Sequence, residues 1–411
     1  MVANGFFQAE GHISCRIRSK YFSPVFVVNQ NLNQKSLEFF LTLWHVLGRT
    51  GSLTLIKNKY GKIVIRLSSE NWDTILNYYA EYFKFIYGEK YIAFQKLFTI
   101  RHLTSNQLRL DPSSLALATT LVYSISAHGT ERNLSLSDQL SLFCISSTNI
   151  DIPNYTDNYN KVSILFIIGM ILGDGTLYLR LRKSDKGSIW VIPTLFLPKL
   201  KNKYNVHFFN ILEKFFKSFD IKVYIINKAK DSETIEILSS SANVDKYYIK
   251  EMTILTVENI HSMFEKLIPM MKPYSHYFYW KYDQFELMSR VALLVKNKAH
   301  LTLYGFKTIL EIIYSYPNNR SQSKEIWIDF IDDWFKSQAA VIKSGENNIQ
   351  AVYGRGKFKG KIIAWKCVFH SNSNLKSRQF GFSNDTDSIL AIEQAIKYRD
   401  STIKSWVDSL K

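Results

Sequence analysis

Apolar and polar positions alternate with period two along His12-Ile13-Ser14-Cys15-Arg16-Ile17-Arg18 and again along Thr176-Leu177-Tyr178-Leu179-Arg180-Leu181-Arg182. Each stretch predicts a half-buried strand whose wet face carries two arginines. Ahead of each lies a short apolar segment whose small residues are four apart, Gly5 with Ala9 and Gly169 with Gly173. That spacing puts the small residues on one helix face, where two helices can approach nearly backbone to backbone. An acid and a glycine close each segment, Glu10-Gly11 and Asp174-Gly175. A glycine there is expected to take the positive φ that ends a helix.

The two copies keep a shared order downstream. After the first come a strand over residues 25–28 and an amphipathic helix with Leu37, Phe40, Leu41, Trp44 and Leu47 inward, ended by Gly48. A hairpin over 52–68 turns at Asn58-Lys59-Tyr60-Gly61. Its apolar positions Leu53, Leu55, Ile63, Ile65 and Leu67 leave Lys62 and Arg66 on the open face, and a helix over 72–85 closes the unit. The second copy reads as strands near 189–196, a helix over 206–219, strands near 222–226 and 234–238, and a helix near 257–267. The fold class is therefore α+β, two αββαββα units in one chain. Both units then carry K-Y-x-x-F, at Lys90-Tyr-Ile-Ala-Phe94 and Lys281-Tyr-Asp-Gln-Phe285.

Charge sharpens this picture. The 52 Lys+Arg exceed the 35 Asp+Glu for a formal net of +17 in a chain that is 46% hydrophobic, which points to a polyanionic partner. The three cysteines, Cys15, Cys144 and Cys367, form no C-x-x-C pair and no His/Cys cluster, which argues against structural zinc and a disulfide framework. The longest apolar stretch, about twelve residues over 162–173, is too short for a membrane span, so a soluble protein is expected. Phe (28) and Tyr (24) outnumber Gly (17) and Pro (8), and Lys, Asn and Ile are frequent. These residues have AT-rich codons, and a mitochondrial or chloroplast genome is the expected source.

The repeated acids suggest chemistry. Two helices packed side by side would bring Glu10 and Asp174 together at one end. Carboxylates there face mutual repulsion and the negative end of the helix dipole, and a divalent cation relieves both. Oxygen ligands favour Mg²⁺, or Mn²⁺, over zinc. Lys90 and Lys281, each opening a helix on the side of an acid, are placed to sit over a scissile phosphate. Directly after the acids, the basic strand faces suit a DNA major groove, where arginine can read guanine.

With these motifs, Gly5-Phe-Phe-Gln-Ala-Glu-Gly11 and Ile168-Gly-Met-Ile-Leu-Gly-Asp-Gly175, residues 1–335 resemble the LAGLIDADG homing endonucleases. The resemblance implies a pseudo-symmetric monomer with the motif helices at the domain interface, about Gly5, Ala9, Gly169 and Gly173. Two antiparallel sheets would form a saddle over double-stranded DNA. It implies that Glu10 and Asp174 share divalent metals, assisted by the carbonyls of Ala9 and Gly173, with Lys90 and Lys281 as the basic residues. DNA contacts are expected from His12, Ser14, Arg16, Arg18, Lys62, Arg66, Thr176, Tyr178, Arg180, Arg182 and Lys222. Cleavage would leave 3′ overhangs at a long asymmetric site and promote intron mobility. The first acid is Glu where the family commonly has Asp, and the motif starts close to Met1, leaving the first helix short. The alternative on the same fold is an intron maturase that binds RNA without cutting; retention of both acids argues for metal chemistry.

The expected domains are residues 1–103 and 161–340, joined by a partly structured linker over 104–160 that is rich in Ser, Thr and Asn around an apolar patch at 115–123. Helices are expected over 306–316 and 326–335. Residues 350–411 read as three strands (351–353, 361–369, 377–382) and a helix (388–406). With Trp365, Phe380 and Ala391-Ile-Glu-Gln-Ala395-Ile-Lys-Tyr-Arg399, this piece resembles a small Apetala-type DNA-binding domain. Arg355 and Lys357, with Lys359 and Lys361, are its expected DNA contacts.

Overall fold

The structure is a computed structural model. It describes the chain except residues 19–20, 59, 106–110, 126–133, 146–149, 159–160, 184–188, 229–250, 316–321, 340–348, 354–361, 372–373, 382–384 and 409–411. The chain divides into two compact units: Met1–Thr176 with Leu195–Val257 and Pro273–Tyr282, and Leu177–Thr194 with Glu258–Lys272 and Asp283–Lys411.

The first copy runs α1 (Val2–Glu10), β1 (His12–Arg18), β2 (Tyr21–Asn31), α2 (Gln34–Val46), β3 (Ser52–Lys57) and β4 (Ile63–Ser69). A widened helical turn at Thr74–Tyr79 leads into α3 (Ala80–Tyr82), and α4 (Gly88–Ser105) follows. The strands form an antiparallel sheet in the order β1-β2-β4-β3. Odd residues of β1 are covered while His12, Arg16 and Arg18 are exposed, as alternation demands. Gly48 and Gly61 take positive φ, at the end of α2 and in the hairpin turn as expected.

The inward face of α2 differs from the sequence reading. Ser36, Phe39, Phe40 and Leu43 are buried, whereas Leu37 and Leu41 are exposed. Phe39 decides the rotation: its ring meets Phe6, Tyr279 and Trp280 edge-on, an aromatic cluster that outweighs two exposed leucines. Asn33 caps the helix, accepting from the Ser36 N–H.

Between the copies, α5 (Pro112–Ile125) and α6 (Leu136–Leu142) are helical. Leu115, Ala118, Leu121 and Val122 of α5 are part of the first unit's core. Nearby, Asn158 donates to the carbonyls of Lys84 (2.6 Å) and Ile86 (2.8 Å).

The second copy runs α7 (Ile164–Leu172), β5 (Thr176–Lys183), β6 (Ile189–Leu200), α8 (Lys203–Lys217), β7 (Tyr224–Lys228) and β8 (Met252–Val257). Its strand order is β5-β6-β8-β7, matching the first sheet. Residues 234–238, read as a strand, lie outside the described residues. β8 was not legible as a strand because five of its six residues are buried, so no alternation marks it. A helix over His261–Leu267 continues as α9 (Ile268–Met271), and α10 (Tyr282–Lys296), α11 (Leu303–Ser315) and α12 (Lys324–Ala339) follow. The C-terminal part comprises β9 (Ile349–Tyr353), β10 (Ile362–Ser371), β11 (Asn374–Gly381) and α13 (Asp385–Asp408), with strand order β11-β10-β9. Ala391 and Ala395 of α13 are buried, as small residues must be where a helix lies close to a sheet.

Candidate active site

The two motif helices, α1 and α7, lie together in the first unit. Their closeness is set by glycine. A Cβ placed on Gly169 would stand 2.6 Å from the Phe6 nitrogen and 2.9 Å from Gly5 Cα; one on Gly5 would meet the Phe166 carbonyl oxygen. No side chain fits in either place. A Cβ on Gly173 would meet the Ala9 Cβ and lie 3.0 Å from Glu10 Cγ. Gly11 and Gly175 need a correction. Neither has positive φ; Gly11 is extended, at φ −67° and ψ 147°. Crowding explains these glycines: a Cβ on Gly11 would enter the Phe7 ring, and one on Gly175 would lie 2.6 Å from Ile171 Cα.

Two polar side chains inside α1 dock the segment that leads to α4. Gln8 accepts from the Tyr87 N–H (2.8 Å) and donates to the Tyr87 carbonyl (3.3 Å). Asn4 does the same between the Phe85 N–H and the Tyr82 carbonyl, both at 3.1 Å. These paired bonds satisfy buried amides and fix where Lys90 begins. Trp280 performs a related task before α10. Its Nε1 donates to the Leu172 carbonyl (3.1 Å), and its ring lies edge-on to Phe6 and Phe39.

Three lysines converge on the ends of the helices. Lys90 Nζ donates to the carbonyls of Phe7 (2.8 Å), Gln8 (2.8 Å) and Ala9 (3.0 Å). Lys281 Nζ donates to those of Ile171 (2.5 Å), Gly173 (3.0 Å) and Gly175 (2.5 Å). Each ammonium thus caps the carbonyl end of a motif helix, where four acceptors lack intrahelical partners and the dipole favours a cation. Burial pushes Lys281 down to about 8 although Glu10 and Asp174 pull the other way. Lys90 is pushed well below the ordinary lysine range by burial, then by Lys199.

Lys199, at the end of β6, was missed in the sequence. Its side chain is only 11% exposed, and Nζ donates to Asp174 Oδ2 (2.5 Å) and to the Ala9 carbonyl (3.1 Å). A charged residue closing the apolar run Leu195-Phe-Leu-Pro198 was the available signal. Glu10 has no such partner among the described residues. Its carboxyl is pushed above the ordinary range, first by burial and next by the charge of Asp174, while Lys199, Lys90 and Lys281 oppose the shift.

The donor set suits a hard divalent cation. It offers two half-buried carboxylates, one of them without a hydrogen-bond partner among the described residues, and backbone carbonyls beside them. Among the described residues no group of three or more His, Cys, Asp and Glu is arranged to hold a metal. Further ligands would therefore be water or phosphate oxygens. The carbonyls of Ala9 and Gly173 already accept from lysine.

The strand residues fall on the open faces expected of them. His12, Arg16, Arg18, Arg180 and Arg182 are exposed, and Ser14, Thr176 and Tyr178 are partly so. Arg66 lies on the open face of β4 and donates to Asn29 Oδ1 (3.0 Å); Lys62 stands in the exposed turn before β4, and Lys222 is exposed ahead of β7. Arg355, Lys357, Lys359 and Lys361 lie outside the described residues. Two acids beside the arginines were also missed: Glu70 pairs with Arg16 and Arg18, and Glu258 with Arg180.

Duplicated αββαββα order, glycine-seated motif helices and a carboxylate at each helix end define a class. Residues 4–101 match the family model of the LAGLIDADG endonuclease. The chain's fold is similar to that of solved double-motif LAGLIDADG homing endonucleases. Solved structures similar to it include I-LtrWI bound to target DNA, at TM-score 0.58 and 15% identity, covering 78% of this chain and 99% of that one. I-SmaMI bound to cleaved DNA matches at TM-score 0.55 and 19% identity, covering 77% of this chain and 96% of that one. I-SmaMI bound to uncleaved DNA in the presence of calcium ions matches at TM-score 0.55 and 19% identity, with 77% and 98% covered. A search of curated proteins finds no match. Among the described residues no helix is long and apolar enough to cross a membrane.

Proposed function

We propose that this protein is a site-specific DNA endonuclease that hydrolyses both strands of a long, asymmetric duplex site, leaves 3′ overhangs and acts as a monomer. The observation that carries the proposal is the placing of Glu10 and Asp174 at the ends of two glycine-seated helices, where Lys199 donates both to the Asp174 carboxylate and to the carbonyl of Ala9, next to Glu10. Two half-buried carboxylates held at neighbouring helix ends repel each other and favour a bound cation. Glu10 and Asp174 would hold Mg²⁺ or Mn²⁺, which when bound supplies Lewis-acid stabilisation of the phosphoryl oxygens and a more acidic water.

The chain's own residues do the rest. Gly5, Gly169 and Gly173 set the spacing of the helices and hence of the acids. Lys90 and Lys281 hold the carbonyl ends of both helices and place positive charge behind the carboxylates, where it offsets charge developing on a phosphate. Lys199 fixes the Asp174 carboxylate by one oxygen. The open faces of β1 and β5 carry the basic side chains that approach the groove, and +17 of formal charge drives association with the polyanion. Residues 350–411 add affinity by tethering a second basic element near the first. Domain limits of 1–103 and 161–340 with a connector over 104–160, an organellar gene and a role in intron mobility complete this reading. It is supported by the domain match and the fold.

The test is cleavage of a randomised double-stranded DNA library with Mg²⁺, with the Glu10→Gln/Asp174→Asn double variant as control. Specific double-strand cuts lost in the variant are the expected result. Selective binding without cutting by both proteins would overturn the endonuclease reading, and intron RNA would become the substrate to examine. On the selected duplex, Arg16→Ala or Arg180→Ala is expected to cost about 1–3 kcal/mol of binding if each arginine reads a base. Titration of the duplex by fluorescence anisotropy measures this, and an unchanged affinity and base preference would remove these side chains from the interface.

A further inference from the structure

Each half of the protein places one carboxylate against an arginine of its motif strand. In the first half, Arg16 Nη1 lies 2.5 Å from Glu70 Oε1, and Arg18 Nη2 lies 3.3 Å from Glu70 Oε2. In the second, Arg180 Nη2 lies 2.7 Å from Glu258 Oε2. Arg16 and Arg180 hold the same place in the two motifs, each six residues after the motif acid. Their partners also correspond. Ser69, just before Glu70, pairs across the sheet with Phe26, two residues after Pro24. Val257, just before Glu258, pairs with Leu195, two residues after Pro193. The identities of the residues before the acids have diverged; the acids and their arginine partners have not.

A single exposed ion pair carries little information, since most contribute almost nothing to stability. Recurrence at one register position in two diverged copies is a different observation, and its geometry has a function. Arginine offers five N–H donors in a planar fork. In Arg16 and Arg180 the acid engages one terminal nitrogen, so the other N–H groups are held in direction and bond no other side chain among the described residues. Arg16 and Arg18, which share the open face of β1, are also relieved of mutual repulsion by the carboxylate between them.

We propose that Glu70 and Glu258 are positioning residues for DNA recognition: each pre-orients the arginine of its motif strand, so that base-specific contacts cost less side-chain ordering. The inference rests on β1 and β5 being DNA-facing strands, as in the function proposed above. It makes a prediction whose sign separates it from simple electrostatics. Removing a negative charge beside DNA by itself tightens binding to every duplex. Removing an orienting contact weakens binding only where the oriented group is used, by about 2- to 10-fold for one or two long side chains.

The experiment takes full-length Glu70→Ala, at an exposed position, and Glu258→Ala, at a half-buried one, and confirms unchanged melting temperature. Binding is then measured on the duplex selected by the wild-type protein and on a scrambled duplex of equal length. The expected result is weaker binding of the selected duplex by about 2- to 10-fold, equal or tighter binding of the scrambled one, and a relaxed base preference at one position of the selected site. Equal tightening on both duplexes would mean that the acids only neutralise charge and would overturn the inference, as would no change on either. Arg16→Ala, run alongside, separates the two layers. If it too leaves the selected duplex unaffected, the DNA-facing assignment of β1 fails, and the role of Glu70 with it. If it weakens binding while Glu70→Ala does not, only the positioning role falls.

Discussion

Asp174→Asn is expected to abolish cleavage of both DNA strands while leaving binding almost intact. Asparagine keeps the shape of the side chain and one oxygen that can accept from Lys199, so the end of β6 retains its anchor. What is lost is the charge that balances a divalent cation. Several kcal/mol of transition-state stabilisation come from such a cation, and about 4 kcal/mol corresponds to roughly a thousandfold in rate. Binding moves the other way if it moves at all, because one negative charge facing the polyanion has gone. Single-turnover cleavage of a duplex labelled on either strand, with binding measured in Ca²⁺, separates the two effects. Retained cutting of one strand at wild-type rate would show that Glu10 alone serves that strand and that the acids do not share their metal. Retained cutting of both would remove Asp174 from the chemistry.

Gly169→Val is expected to fail at an earlier stage, in assembly of the motif helices. The new Cβ would stand 2.6 Å from the Phe6 nitrogen and 2.9 Å from Gly5 Cα, against backbone that cannot rotate aside as a side chain would. Overpacking in a fixed core costs about 1–3 kcal/mol, and backbone-on-backbone crowding puts this site at the upper end. At about 2–4 °C per kcal/mol, the melting temperature should fall by roughly 6–12 °C. A surface control, Gly61→Asn, keeps a side chain that tolerates positive φ in an open turn and should cost far less. Equal melting temperatures for the two variants would mean that α1 and α7 tolerate separation.

The parts of this architecture that were readable in the chain are those where one physical demand acts on each position. Period two marked β1 and β5 because each has one covered and one open face, and small residues four apart marked the helix contact. Where two demands act together, the pattern disappears. β8 is covered on both sides, so its run of apolar and β-branched residues has no period. The face of α2 was misjudged because Leu37 and Leu41 suit a core as well as Phe39 does; only the aromatic neighbours Phe6, Tyr279 and Trp280, far away in sequence, decide between them. Gly11 and Gly175 were expected for their backbone freedom and are needed for lack of volume, two reasons that leave the same letter. Lys199, Glu70 and Glu258 are charged residues at or just beyond strand ends, where charge is common and only three-dimensional proximity gives it a partner.

Trp280 offers an optical consequence. Its indole hydrogen bonds the last residue of α7 while its ring rests against Phe6 of α1, so its emission depends on both motif helices at once. Water reaching that ring shifts the spectrum to the red, and loss of the Leu172 bond changes its intensity. The difference between the wild-type spectrum and that of Trp280→Phe therefore isolates an internal gauge of helix pairing, readable during unfolding, cation addition or DNA capture without any attached dye.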